Sequence, residues 1–81
     1  MSAFSLADLP VGGRAKIAAF NLPEEIRQRL MEMGLTKGAS CTLVRFAPMG
    51  DPIEIEVRGF HLSLRKAEAQ GIEMTPLVQT P

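Results

Sequence analysis

Residues 53–58 alternate without a break: Ile53, Ile55 and Val57 are apolar, while Glu54, Glu56 and Arg58 are polar. A period of two puts the first set on one face of a strand and the second on the other. His61-Leu62-Ser63-Leu64 alternates in the same way. Between these runs, Gly59-Phe60 fits a two-residue hairpin loop with glycine first, as a type II′ turn requires. That loop predicts Val57 opposite Leu62 and Ile55 opposite Leu64, with Glu54 facing Arg65 as an opposite-charge pair. A slip of one residue would turn the whole apolar set to water.

The pattern upstream predicts further elements. Arg14 to Phe20 reads as a strand with Ala15, Ile17 and Ala19 on one face, and the small alanines imply a crowded, curved part of the sheet. Asn21-Leu22-Pro23-Glu24 carries a cap, a first-turn proline and a glutamate at capping-box spacing, so a helix starts there. Its apolar stripe is Ile26, Leu30 and Met33, its exposed side carries Glu25 and Arg29 at ion-pair spacing, and Gly34 ends it. Ser40 to Phe46 is a second strand, with Cys41 and Leu43 on one face. Ser5 to Pro10 is a short helical turn, with Ser5 and Asp8 at capping-box spacing and Leu6 and Leu9 plugging the core. Arg65 to Gln70 is another such turn, stopped by Gly71, and Ile72 to Met74 is a last strand. About five short strands, one inserted helix and small helical turns predict a mainly β fold, a small and strongly bent antiparallel barrel. Residues 1–75 form one domain in this reading, and 76–81, with two prolines, form a flexible tail.

Composition narrows the function. The chain has 81 residues and one cysteine, which excludes an intramolecular disulfide and fits a reducing compartment. Neither a basic leader ahead of an apolar core nor a membrane-length apolar run is present, so a soluble cytoplasmic protein is expected. Nine basic residues balance nine acidic ones, and aromatics are 5%. Nucleic-acid binding normally shows a basic excess and stacking aromatics, so neither duplex nor single-strand recognition is favoured.

Candidate chemistry is sparse. The single histidine, His61, lies on the polar side of the hairpin, and Cys41 reads as a small buried hydrophobe without an activating neighbour. No catalytic residue is assigned. Gly12-Gly13 lacks the following lysine and hydroxyl residue of a phosphate-binding loop. Glu54, Glu56 and His61 are the weak candidates for a metal site, since stable sites use three or four converging ligands. No cofactor is required, adventitious divalent metal aside, and weak affinity for ferrous iron is expected from such an incomplete set. Met31 falls off the helix stripe and Met49 sits at a turn tip, so Met31, Leu35, Met49, Gly50 and Asp51 are the candidate partner-binding residues.

Several motifs in order carry a family resemblance. Arg29-Leu30-Met31-Glu32-Met33-Gly34-Leu35, Lys37-Gly38, Ala47-Pro48-Met49-Gly50-Asp51-Pro52, Val57-Arg58-Gly59 and Leu62-Ser63-Leu64-Arg65-Lys66-Ala67-Glu68-Ala69 together resemble the ferrous iron transport protein A (FeoA) family. The likeness runs from Leu6 to about Met74. It implies an SH3-like barrel with an inserted helix. It also implies a cytosolic accessory of bacterial ferrous iron uptake that binds and modulates the membrane GTPase-permease FeoB. The family brings no catalytic residues. Cys41 departs from its pattern, where a β-branched aliphatic is expected. A similar domain in iron-dependent repressors implies the alternative, a metal-responsive regulatory module or a nucleic-acid-associated barrel. A monomer or weak homodimer fits either.

Overall fold

The computed structural model describes residues 4–77. Six strands form one antiparallel sheet in the order β1-β6-β2-β3-β4-β5. They are β1 (Phe4–Ser5), β2 (Arg14–Phe20), β3 (Ser40–Phe46), β4 (Ile53–Val57), β5 (Phe60–Leu64) and β6 (Ile72–Thr75). Helix α1 (Glu24–Glu32) is inserted between β2 and β3, and α2 (Lys66–Gln70) lies between β5 and β6. A 3₁₀ turn, Leu6–Asp8, follows β1. The predicted β2 and β3 are found at the same residues. The predicted tail falls, from residue 78 onward, outside the described residues.

Two bulges bend the sheet. Ala18 is the extra residue between the pairs Ile17–Met74 and Ala19–Glu73, and Val44 is the extra residue between Leu43–Ile55 and Arg45–Glu54. A bulge bends its strand and increases the twist, so both sites curve the sheet around one core. The edges β1 and β5 do not pair with each other, and the barrel stays open there. Helix α2 packs against the 3₁₀ turn and β6. The core draws on Leu6, Ile17, Leu30, Leu35, Leu43, Ile53, Ile55 and Ile72, all essentially sealed from solvent.

The hairpin closes one residue earlier than the pattern predicts. Val57 pairs with Phe60, Ile55 with Leu62 and Ile53 with Leu64. The loop is Arg58-Gly59, and both residues have positive φ, 53° and 85°. That is the signature of a type I′ turn. The pairing moves by two positions, so Ile53, Ile55 and Val57 still face inward, but their partners change. Glu54 faces Ser63 rather than Arg65. Arg58 is a costly residue in a left-handed conformation, by roughly 1–2 kcal/mol. Its guanidinium donates to the Thr36 hydroxyl at 3.0 Å, and the early turn lets Phe60 join the strand.

Helix α1 begins at Glu24 with Pro23 as its flanking residue, not with an Asn21 cap. Asn21 instead donates its backbone N–H to the Gly71 carbonyl at 2.6 Å. A Cβ on Gly71 would lie 2.8 Å from the Asn21 carbonyl oxygen, a backbone atom that cannot easily give way, so glycine permits this approach. The helix ends as expected at Gly34, whose φ is 104°. Leu35 N–H donates to the Leu30 carbonyl and Gly34 N–H to that of Met31, both at 3.0 Å. These two bonds define a Schellman motif, which brings the residue after the glycine back against the last turn. Leu35 is therefore core, at 0% exposure. The expected Glu25–Arg29 pair gives way to a longer-range one, in which Arg29 pairs with Glu68 of α2.

Asp51 ties the turn between β3 and β4 to α2. Its carboxylate accepts the Lys66 backbone N–H at 2.9 Å, the first residue of that helix. Lys66 N–H is one of the donors a helix start leaves unpaired, and capping it contributes about 1 kcal/mol. Asp51→Ala should lower the unfolding free energy by about that amount in urea denaturation. An unchanged midpoint would show that the bond contributes nothing.

Candidate partner surface

Both methionines predicted to be exposed are at the surface: Met31 is 44% exposed and Met49 is 91% exposed. Leu35 is not available to a partner, because the Schellman motif turns it into the core. Gly50 and Asp51 stand in the turn that Met49 tips, closed by the Gly50 N–H donating to the Ala47 carbonyl at 2.7 Å. A groove of about 640 Å³ runs beside that turn, lined by Arg29, Met33, Asp51, Pro52, Arg65 and Glu68. Met33, expected in the core stripe, is half-exposed and supplies the groove's apolar wall. Met31 does not line it: two positions along a helix rotate a side chain by about 200°. The sequence signal that could have found this was the Leu30…Gly34-Leu35 pattern. It assigns the inward role to Leu35 and frees Met33.

The metal candidates are only partly assembled. Glu54 and His61 meet, with Nδ1 of His61 at 2.8 Å from Oε2 of Glu54. The other oxygen, Oε1, accepts from Arg45 Nη1 at 2.8 Å. Glu56 lies opposite His61 across the strands, with no bond to it. Among the described residues, no three His, Cys, Asp or Glu side chains converge. The carboxylate between an arginine and a histidine is a surface charge network, worth little in water.

Cys41 is buried, at 1% exposure, on the inner side of β3. Burial pushes its thiol up to about 11 from the ordinary 9.0, because a thiolate is poorly solvated there. No base lies against it among the described residues, so nucleophilic chemistry is not supported.

These features define a small β-barrel with an inserted helix and a polar exterior. Comparison with known proteins identifies the class. The solved Stenotrophomonas maltophilia FeoA, described as a zinc-complexed SH3 domain protein, has a TM-score of 0.75 at 28% identity, covering 88% of each chain. The FeoA protein of Chlorobium tepidum has a TM-score of 0.87 at 39% identity, covering 95% of this chain and 73% of that one. The fold is SH3-like. The FeoA domain model matches residues 4–76, and the chain belongs to that family. A Porphyromonas gingivalis protein, described as an Fe(2+) transport protein A/Fe(2+) transporter FeoB fusion, is 33% identical over 69 residues. The match takes in 85% of this chain but 8% of that protein, so this chain spans a small part of its relative. A manganese-dependent transcriptional repressor has a TM-score of 0.83 at 14% identity, over 93% of this chain and 42% of that one, a likeness of fold alone.

The raised thiol has a consequence for stability. A group whose pKa is higher in the folded state stabilises the fold below its unfolded value and stops doing so as pH passes the folded value. Stability should fall between about pH 9 and about pH 11, and Cys41→Val should flatten that part of the profile. The swap itself should cost under about 1.5 kcal/mol. Rapid labelling of the native protein by a bulky thiol reagent would contradict the buried assignment.

Proposed function

We propose that this chain is an accessory of ferrous iron uptake that docks on the cytosolic part of a FeoB-type membrane permease and modulates it. One observation carries the reading: in the Porphyromonas gingivalis relative, a domain like this one and a FeoB transporter share a single polypeptide. Covalent linkage places two modules at high effective concentration, which is useful when they act on each other. The surface is compatible with that role. No helix among the described residues is long and apolar enough to cross a membrane. The chain acts in the cytoplasm in this reading, without catalytic chemistry of its own and without a resident cofactor.

The contact is formed by Met49, the Gly50-Asp51 turn and Met33 along the groove; Met31, also expected in it, is exposed but points away from the groove. Methionine adapts to a partner's shape, and prolines 48 and 52 stiffen the turn, which lowers the ordering cost of binding. Asp51 contributes by holding the turn against α2 as well as by facing solvent.

The test is a nuclear magnetic resonance titration of the labelled chain with the permease's cytosolic domain. Shift changes should cluster at residue 33 and at residues 47–52. The variant Met33→Ser/Met49→Ser, checked for an unchanged thermal midpoint, should lose at least about tenfold in affinity, the loss expected where a few apolar anchors carry an interface. Full binding by the folded variant would place the contact elsewhere.

A further inference from the structure

A second concavity lies at the other end of β4, and it is polar. It holds about 600 Å³ and is lined by Arg14, Ser40, Thr42, Glu56 and Arg58. Its floor is a row across three strands, in which Arg14 of β2 is opposite Thr42 of β3, and Thr42 is opposite Glu56 of β4. The ion pairs between arginine and carboxylate among the described residues are Arg29–Glu68 and Arg45–Glu54. Neither Arg14 nor Arg58 has a carboxylate partner there. The chain's zero net charge therefore conceals a local excess: two guanidinium groups without a bonded carboxylate face one hollow against the single carboxylate of Glu56.

Arg58 is also held in place. A bulky residue at positive φ is an outlier, and such outliers concentrate where a side chain has been positioned for use. The Thr36 hydroxyl fixes its guanidinium at 3.0 Å without neutralising it. A fixed guanidinium loses less freedom on taking up a carboxylate, and its fork suits that group.

We infer that this hollow binds an acidic segment of a protein partner. The inference rests on the reading of the chain as a protein-binding accessory. Two features favour a peptide over a lone oxyanion. The volume exceeds what a single phosphate fills. Glu56 would repel a lone anion, whereas a peptide offers it backbone N–H groups while its acidic side chains reach Arg14 and Arg58.

The test titrates the full chain with hexaglutamate at low salt. Saturable shift changes should appear at Arg14, Thr42, Arg58 and Gly59 and weaken as salt screens the charges. Arg58→Gly removes the guanidinium and relieves the positive φ, so the variant should fold and yet bind about tenfold more weakly, the usual share of one charged contact. Arg14→Gln/Arg58→Gly should abolish the shifts. Absence of saturable shifts in the parent, or equal binding by the double variant, overturns the inference. So does tighter binding of inorganic phosphate or of phosphatidylserine vesicles at the same residues. Co-purification with the permease separates the two readings. If the hexaglutamate site is absent but the double variant still co-purifies, the inference fails and the proposed function stands. If the parent chain itself does not co-purify, the proposed function fails, and the hexaglutamate titration alone decides the hollow.

Discussion

The structure depends on a single register, that of β4. This strand pairs with β3 on one side and β5 on the other, and its Ile53, Ile55 and Val57 lie wholly in the core. A domain of this size buries a smaller share of its surface than a larger one does, so three fully buried side chains on one strand are a large part of its core. A one-residue slip would expose all of them and bury Glu54 and Glu56 instead. The two-residue turn at Arg58-Gly59 fixes the choice, and the bulges at Ala18 and Val44 wrap the neighbouring strands around it.

Both candidate surfaces follow from that strand. The Met49-Gly50-Asp51 turn leads into its first residue, and Arg58 follows its last. Four residue steps separate those ends, about 13 Å at the rise of an extended strand. The candidate apolar contact and the hollow at Arg14 and Arg58 thus sit at opposite ends of one strand, so a partner that reached both would meet a fixed spacing. Helix α1 is fastened by other means: the Leu35–Leu30 bond, the Asn21–Gly71 bond and the Arg29–Glu68 pair. Those contacts use Leu30 and Leu35 inside, and Met31 and Met33 are left at the surface.

Much of this was legible in the sequence. Alternation located β2 and β3 to the residue, and glycine marked the end of α1. The hairpin register was not legible, for a definite reason. Turns at Gly59-Phe60 and at Arg58-Gly59 give pairings that differ by two positions, so both keep the same side chains inward. Apolar alternation cannot separate them, and turn chemistry alone favours glycine over arginine at the first left-handed position. The Thr36 bond and the gain of Phe60 by the strand, both set by the folded chain, reverse that preference. Leu35 and Met33 exchanged roles for a similar reason, because helical periodicity ends at Gly34 and the Schellman geometry takes over. The two residues of β1 are too few to show any pattern. The candidate surface was half legible: exposure of Met31 and Met49 followed from their being off pattern, while the meeting of Glu54 with Arg45 and His61 depended on the folded strand order.

The register can be observed directly. In a two-residue hairpin the pair next to the closing one lacks ladder hydrogen bonds, and its α-protons come close together. The structure makes that pair Glu56 and His61. A nuclear Overhauser spectrum in deuterium oxide should show a strong cross-peak between the α-protons of Glu56 and His61. A strong cross-peak between those of Val57 and Leu62 in its place would mean that the turn is Gly59-Phe60. Arg58 would then leave the left-handed position, and neither the register of β4 nor the placement of the two surfaces at its ends would hold.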